Sequence, residues 1–106
     1  MGLIANLKFV GQMLTGVGVS DCEHTAALRD FDTAPHECGD CLRAGVKWFH
    51  LRMCMTCGYV GCCDSSKLKH ISLHARETGH PITRSIERGE SWLWCYQHQR
   101  LVRRRL

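Results

Sequence analysis

Apolar and polar positions change rhythm several times along the chain. Leu3, Leu7, Val10 and Leu14 recur at helical spacing, which predicts a short amphipathic helix in residues 1–20. Gly11 and Gln12 interrupt that run, and its only basic residue, Lys8, lies inside it. The segment therefore fits neither a secretory signal nor a bilayer span, and it is expected to be an apolar, mobile or loosely docked arm. From Asp21 to Gly45 the pattern dissolves, punctuated by Pro35, Gly39 and Gly45, which predicts loop. Val46 to Met53 alternates and is rich in aromatic and β-branched residues, which predicts a strand. Tyr59-Val60 predicts a shorter one.

The second half is easier to divide. Ser65 or Ser66 can cap a helix over about 66–78, with Gly79 placed to end it and Pro81 just beyond. Pro81 to Ile86 reads as a strand, Arg88-Gly89-Glu90 as a turn, and Trp92 to Cys95 as a strand. Gln99 to Arg103 adds a last one. The expected fold is α+β: a small domain with a short mixed or antiparallel sheet, one main helix and long loops. The domain spans 21–102, between the arm at 1–20 and a basic tail at 103–106.

Composition changes that picture most through sulfur and imidazole. Eight Cys and seven His in 106 residues exceed what packing needs. A chain of this size buries a modest core and gains from a cross-link or metal. Disulfides are the rival, since the Cys count is even. They leave the His unexplained, and no secretory signal accompanies them. The donors fall into pairs: Cys22-x-His24, Cys38-x2-Cys41, Cys54-x2-Cys57, His70-x3-His74 and Cys95-x2-His98, with Cys62, Cys63 and His80 as singles. Two C-x-x-C steps with a helical H-x3-H point to zinc. Spacing alone leaves the partners open, and His70 and His74 on one helical face could share an ion.

The order C-x-H, C-x2-C, C-x2-C-x4-C, H-x3-H-x5-H-P and W-C-x2-H resembles the ubiquitin-specific-protease-type (UBP-type) zinc finger, over about residues 22–102. That finger occurs in deubiquitinases and in a cytoplasmic histone deacetylase. The form CGYVGCCDSS is similar to small prokaryotic members. The resemblance to three-zinc members implies an interleaved assignment. One ion takes Cys22, His24, Cys95 and His98. A second takes Cys38, Cys41, Cys62 and His70. The third takes Cys54, Cys57, His74 and His80. The two helical His then serve different ions, and Cys63, His36 and His50 are left over.

Closed sets of four protein donors are structural, because a catalytic zinc keeps a position open for water or substrate. The resemblance also implies a pocket around Trp94 and Tyr96, which in ubiquitin-binding members receives the free C-terminal Gly-Gly of ubiquitin with the help of an Arg. Here Cys63-Asp64 stands where the family has Gly-Arg, Arg52 replaces a pocket Trp, and Leu101 replaces a Tyr. Asp64 repels a carboxylate, and pairing of Arg52 with Asp64 would leave the pocket mouth nearly neutral.

The expected function is thus a non-catalytic protein-interaction module that holds a protein or peptide segment near Trp94, Tyr96, Arg52 and Asp64. A ubiquitin-like tail is the family's ligand, and a basic or neutral segment suits Asp64 better. Nucleic acid is the alternative. Net charge is +4, and Arg84, Arg88, Arg100 and Arg103 to Arg105 supply cations. Reduced thiols place the protein in the cytoplasm. An enzyme would have to use Cys63 or an open metal position, and no base is held for such a thiol outside the metal sets.

Overall fold

Strand-forming residues in the second half alternate between large apolar and polar types, and that alternation builds the scaffold. A computed structural model describes residues 18–104. The helix expected from Leu3 to Leu14 lies outside the described residues. In chain order the elements are β1 (Val19–Ser20), a 3-10 turn (Glu23–Ala27), α1 (Gly39–Ala44), β2 (Leu51–Cys54), β3 (Val60–Cys62), α2 (His70–Thr78), β4 (Ile82–Ser85), β5 (Leu93–Cys95) and β6 (Arg100–Val102).

The six strands form one sheet in the order β1-β6-β5-β4-β2-β3. All neighbours are antiparallel except β1 and β6, which run parallel with Val19 opposite Leu101. The expected mixed α+β architecture is therefore found. Val19–Ser20, assigned to the arm from sequence, is part of the sheet. Arg103 fastens it there: its backbone N–H donates to Ser20 O and its guanidinium to Val19 O.

Register decides which side chains share a face, because directly opposed residues point the same way. Met53 faces Val60 on one side and Arg84 on the other, and Leu93 faces both Arg84 and Val102. Leu51, Met53, Val60, Ile82, Leu93 and Val102 are all buried. Burying each such side chain contributes roughly 1.5–3 kcal/mol. The other face carries Arg52, Ser85, Thr83, Trp94 and Leu101. Thr83 and Ser85 form its buried floor, while Arg52, Trp94 and Leu101 are half-buried.

Three local expectations are corrected. The run Val46 to His50 is not strand, since β2 begins at Leu51. Trp48 packs against the core from an irregular segment, and Phe49 is 71% exposed. The segment 39–44, read as loop, is a short helix. Cys38 caps it by accepting from the Cys41 N–H, and Gly45 closes it in a left-handed conformation at φ 71°. The main helix starts at His70, not near Ser66. Ser66 is buried and spends its hydroxyl on the Phe49 N–H at 2.9 Å, so it is not free to cap. The chain enters the helix through Lys69 at φ 51°, and Gly79 ends it as expected, its N–H bonding Ala75 O.

α2 packs on β3 and β2, and α1 packs on β3. Gly61 permits the close approach. A Cβ there would lie 2.9 Å from the Ile71 backbone nitrogen and 2.8 Å from the Tyr59 ring.

Candidate metal centres and an aromatic sheet face

Each sequence pair is carried to the rim of the sheet by a different element. Three sets of four donors converge: Cys22, His24, Cys95 and His98; Cys38, Cys41, Cys62 and His70; Cys54, Cys57, His74 and His80. Within each set every donor atom lies within 4.8 Å of the others. The first set closes the 3-10 turn onto the end of β5, and the second gathers α1, β3 and the start of α2. The third joins the β2–β3 turn to α2 and the residue before Pro81.

The spacings test whether zinc fits. Tetrahedral zinc, with bonds of about 2.3 Å to sulfur and about 2.05 Å to nitrogen, holds two sulfurs about 3.8 Å apart and a sulfur and nitrogen about 3.5 Å apart. Cys41 Sγ and Cys62 Sγ lie 3.7 Å apart, well beyond disulfide bonding. His70 Nδ1 sits 3.3, 3.4 and 3.4 Å from the sulfurs of Cys38, Cys41 and Cys62. In the third set Cys54 is 3.4 Å from His80 Nδ1 and Cys57 is 3.3 Å from His74 Nε2. In the first, Cys22 lies 3.4 and 3.3 Å from His24 and His98, and Cys95 lies 3.3 and 3.6 Å from the same rings. These are the edges of donor tetrahedra, and the residues fit zinc in all three sets.

The electrostatics bear on the same question. Burial pushes the Cys41 thiol up to about 12, and neighbouring Cys38 and Cys62 reinforce the shift. Burial likewise raises Cys22 and Cys54. Such thiols ionise together only when a metal neutralises them. Backbone N–H groups of Cys41, His70 and His98 point at the sulfurs of Cys38, Cys62 and Cys95, which stabilises thiolate. Glu23 Oε2 lies 3.7 Å from His98 Nε2, on the far side of the ring from the donor atom.

A family model, Zn-finger in ubiquitin-hydrolases and other protein, matches residues 38–106. The chain belongs to the UBP-type zinc-finger family. A solved structure from Rhodopseudomonas palustris, determined by solution NMR, is 42% identical, with a TM-score of 0.70. The similarity covers 78% of this chain and 81% of that one. No curated protein matches. The match begins at Cys38, so Cys22 and His24 join this UBP-type finger to its own N-terminal turn from outside the matched residues. The zinc-finger family and the donor clusters together make the chain a zinc-binding protein.

The four residues named from sequence for ligand contact meet on the second sheet face, in a different arrangement from the one expected. Among the described residues no ion pair joins Arg52 to Asp64. Arg52 lies over the Trp92 ring, 4.5 Å from its centroid, and donates to Leu51 O at 3.0 Å. Asp64 is exposed and accepts from the Tyr96 hydroxyl at 3.3 Å. Burial and that carboxylate both raise the Tyr96 phenol, so it stays a donor. Trp94 meets Tyr96 edge-on at 6.5 Å. Arg52 thus has a cation–π partner where a carboxylate partner was expected.

Sequence reasoning passed over Trp92 as a functional residue, although period-two alternation through Trp92, Trp94 and Tyr96 was there to be read. The leftover donors fall outside the three sets. His36 is exposed, and Cys63 is buried with its sulfur 3.9 Å from His50 Nδ1 and 3.7 Å from Ser66 Oγ. The Cys63 backbone bridges His50 O and the Ser66 N–H, the role of a packed residue.

Proposed function

We propose that the protein is a non-catalytic interaction module. Three zinc ions, held by the twelve clustered Cys and His, brace a sheet that receives a protein segment across Arg52, Trp92, Trp94, Tyr96 and Asp64. The observation that carries this reading is the independence of Arg52 and Asp64. Each is held by an aromatic neighbour instead of by the other, so a cation and an anion remain open on one half-buried aromatic face. A short extended segment can stack on the Trp rings while its own charges meet both.

All four positions in each donor set are filled by protein, which supports structural metal and no chemistry of its own. The alternative, nucleic acid, loses support from the tail. Arg103 pairs with Asp21 at 3.0 Å and Arg104 with Asp30 at 2.7 Å, so these cations are spent within the chain. Reduced thiols in all three sets fit the cytoplasm best. No helix among the described residues is long and apolar enough to cross a membrane.

Titration of extended peptides bearing free or amidated C-termini tests the face, with ubiquitin as one arm. Binding that is lost in Arg52→Ala and Trp94→Ala, with unchanged metal content, is expected. A free terminus that binds better than its amide assigns the terminal carboxylate to Arg52. Equal binding assigns recognition to the segment's interior. Equal affinity of wild type and both variants for every peptide would remove the proposed face.

A further inference from the structure

Two of the three donor sets share more than the sheet. His70 and His74 stand one turn apart on α2, each in a different set. Between the sets lies Tyr59, on the turn that links Cys57 to β3. Its ring stacks on His74 with centroids 4.3 Å apart and planes within 11°. Its hydroxyl donates to Asp40 Oδ2 at 2.5 Å. Asp40 sits in α1 between Cys38 and Cys41, two thiols of the other set, and its second oxygen takes the Arg43 guanidinium. Gly61 leaves the room in which the Tyr59 ring lies, since any Cβ there would meet it at 2.8 Å.

We propose that Tyr59 and Asp40 form a strut between these two centres, so that the Cys38/Cys41/Cys62/His70 and Cys54/Cys57/His74/His80 sets gain and lose metal as one unit. The physical basis is geometric. Stacking fixes the plane of the His74 ring, and the bond to Asp40 fixes α1 against that ring. Loss of metal from either set frees a helix on which the other depends. Coupling of this kind needs an element with two arrangements that both sites bias, and the α1–Tyr59–α2 unit is that element. Tyr59 belongs to neither donor set and is a positioning residue.

The test follows the NMR signals of the His70 and His74 rings as a chelator strips the zinc-loaded full chain. Each ring reports on its own set. In the wild type the two signals are expected to change over the same chelator range. Tyr59→Phe keeps the stack and removes the hydroxyl. It is expected to move the His74 transition to about tenfold lower chelator while His70 lags behind. Asp40→Ala, which also cuts the strut, should give the same split, and the double variant should add nothing further. Amide NMR shifts of the loaded variants, unchanged from wild type beyond the neighbourhood of the substitution, separate this from general loss of packing. Separate transitions in the wild type would overturn the proposal. So would coincident transitions in both variants, or full additivity in the double variant.

Discussion

The set at Cys38, Cys41, Cys62 and His70 and the set at Cys54, Cys57, His74 and His80 share a helix but not an environment. In the first, all three thiols are 0% exposed. In the second, Cys54 is buried but Cys57 is exposed on the turn between β2 and β3. The first has three thiols around one imidazole, the second two of each. Burial in the first raises the cost of three adjacent negative charges and so raises its dependence on the cation. Water at the second relieves that cost and gives reagents a way in. Centres with similar donor geometry are thus expected to differ in what the loss of a single donor does to the fold.

Substitution of single thiols breaks the comparison most sharply. Cys41→Ser removes a donor from the dry set, where structural zinc supplies on the order of 10 kcal/mol of apparent folding free energy. It should leave no cooperative unfolding transition by circular dichroism. Cys57→Ser leaves three donors and a fourth position that water can reach, so it should still fold with its zinc by native mass spectrometry but release the metal of both linked sets at lower chelator than wild type. Folded Cys41→Ser protein with two ions would show that burial does not set the dependence.

Gly61→Ala presses on both sets at once. The new methyl meets Ile71 nitrogen at 2.9 Å, and backbone must move. A loss of about 1–3 kcal/mol is expected in denaturant melts. Loss of metal from both sets together, at a chelator concentration that spares the Cys22/His24/Cys95/His98 set, would sharpen the contrast between the linked pair and the third centre.

Acid distinguishes the two more gently. Burial, with His80 beside it, holds His74 below the ordinary value of 6.5. The folded ring is therefore neutral where the unfolded ring has taken a proton. Stability contributed through His74 is present above that ordinary value and falls as pH drops through it toward the lowered one. Proton competition for the metal acts in the same direction. Melts between about pH 7 and pH 5 should show the loss, and it should shrink in His74→Cys, which restores a donor with different titration. Alkylation gives the smallest effect. Brief treatment of the loaded protein should label Cys57 ahead of Cys38, Cys41 and Cys62 by peptide mapping.

The comparison also separates what was legible from what was not. C-x-x-C steps and the H-x3-H pair are local, so Cys38, Cys41, Cys54, Cys57, His70 and His74 stand out as donors by spacing alone. Gly79 and Pro81 mark the end of α2 because only a left-handed residue fits there, at φ 78°. β4, β5 and β6 were visible as alternation to within about a residue at each end. The short helix at Gly39–Ala44 was hidden because its length is below what periodicity resolves, and its cap is a thiol, not a hydroxyl. Gly45 was the overlooked signal. The start of α2 was misplaced because Ser66 is claimed by Phe49, a partner 17 positions away.

Residue order alone determined that this chain would gather sulfur and imidazole around metal and alternate its strands about a small core, because those properties depend on near neighbours. Which donors share a set was decided only in three dimensions. A helical turn brings His70 and His74 together in sequence, yet the sheet brings Cys62 to one and Cys57 to the other. The same holds for the aromatic face. Arg52 could meet Asp64 or Trp92, and the register of β2 against β4, which sets Arg52 opposite Ser85, placed it over the ring.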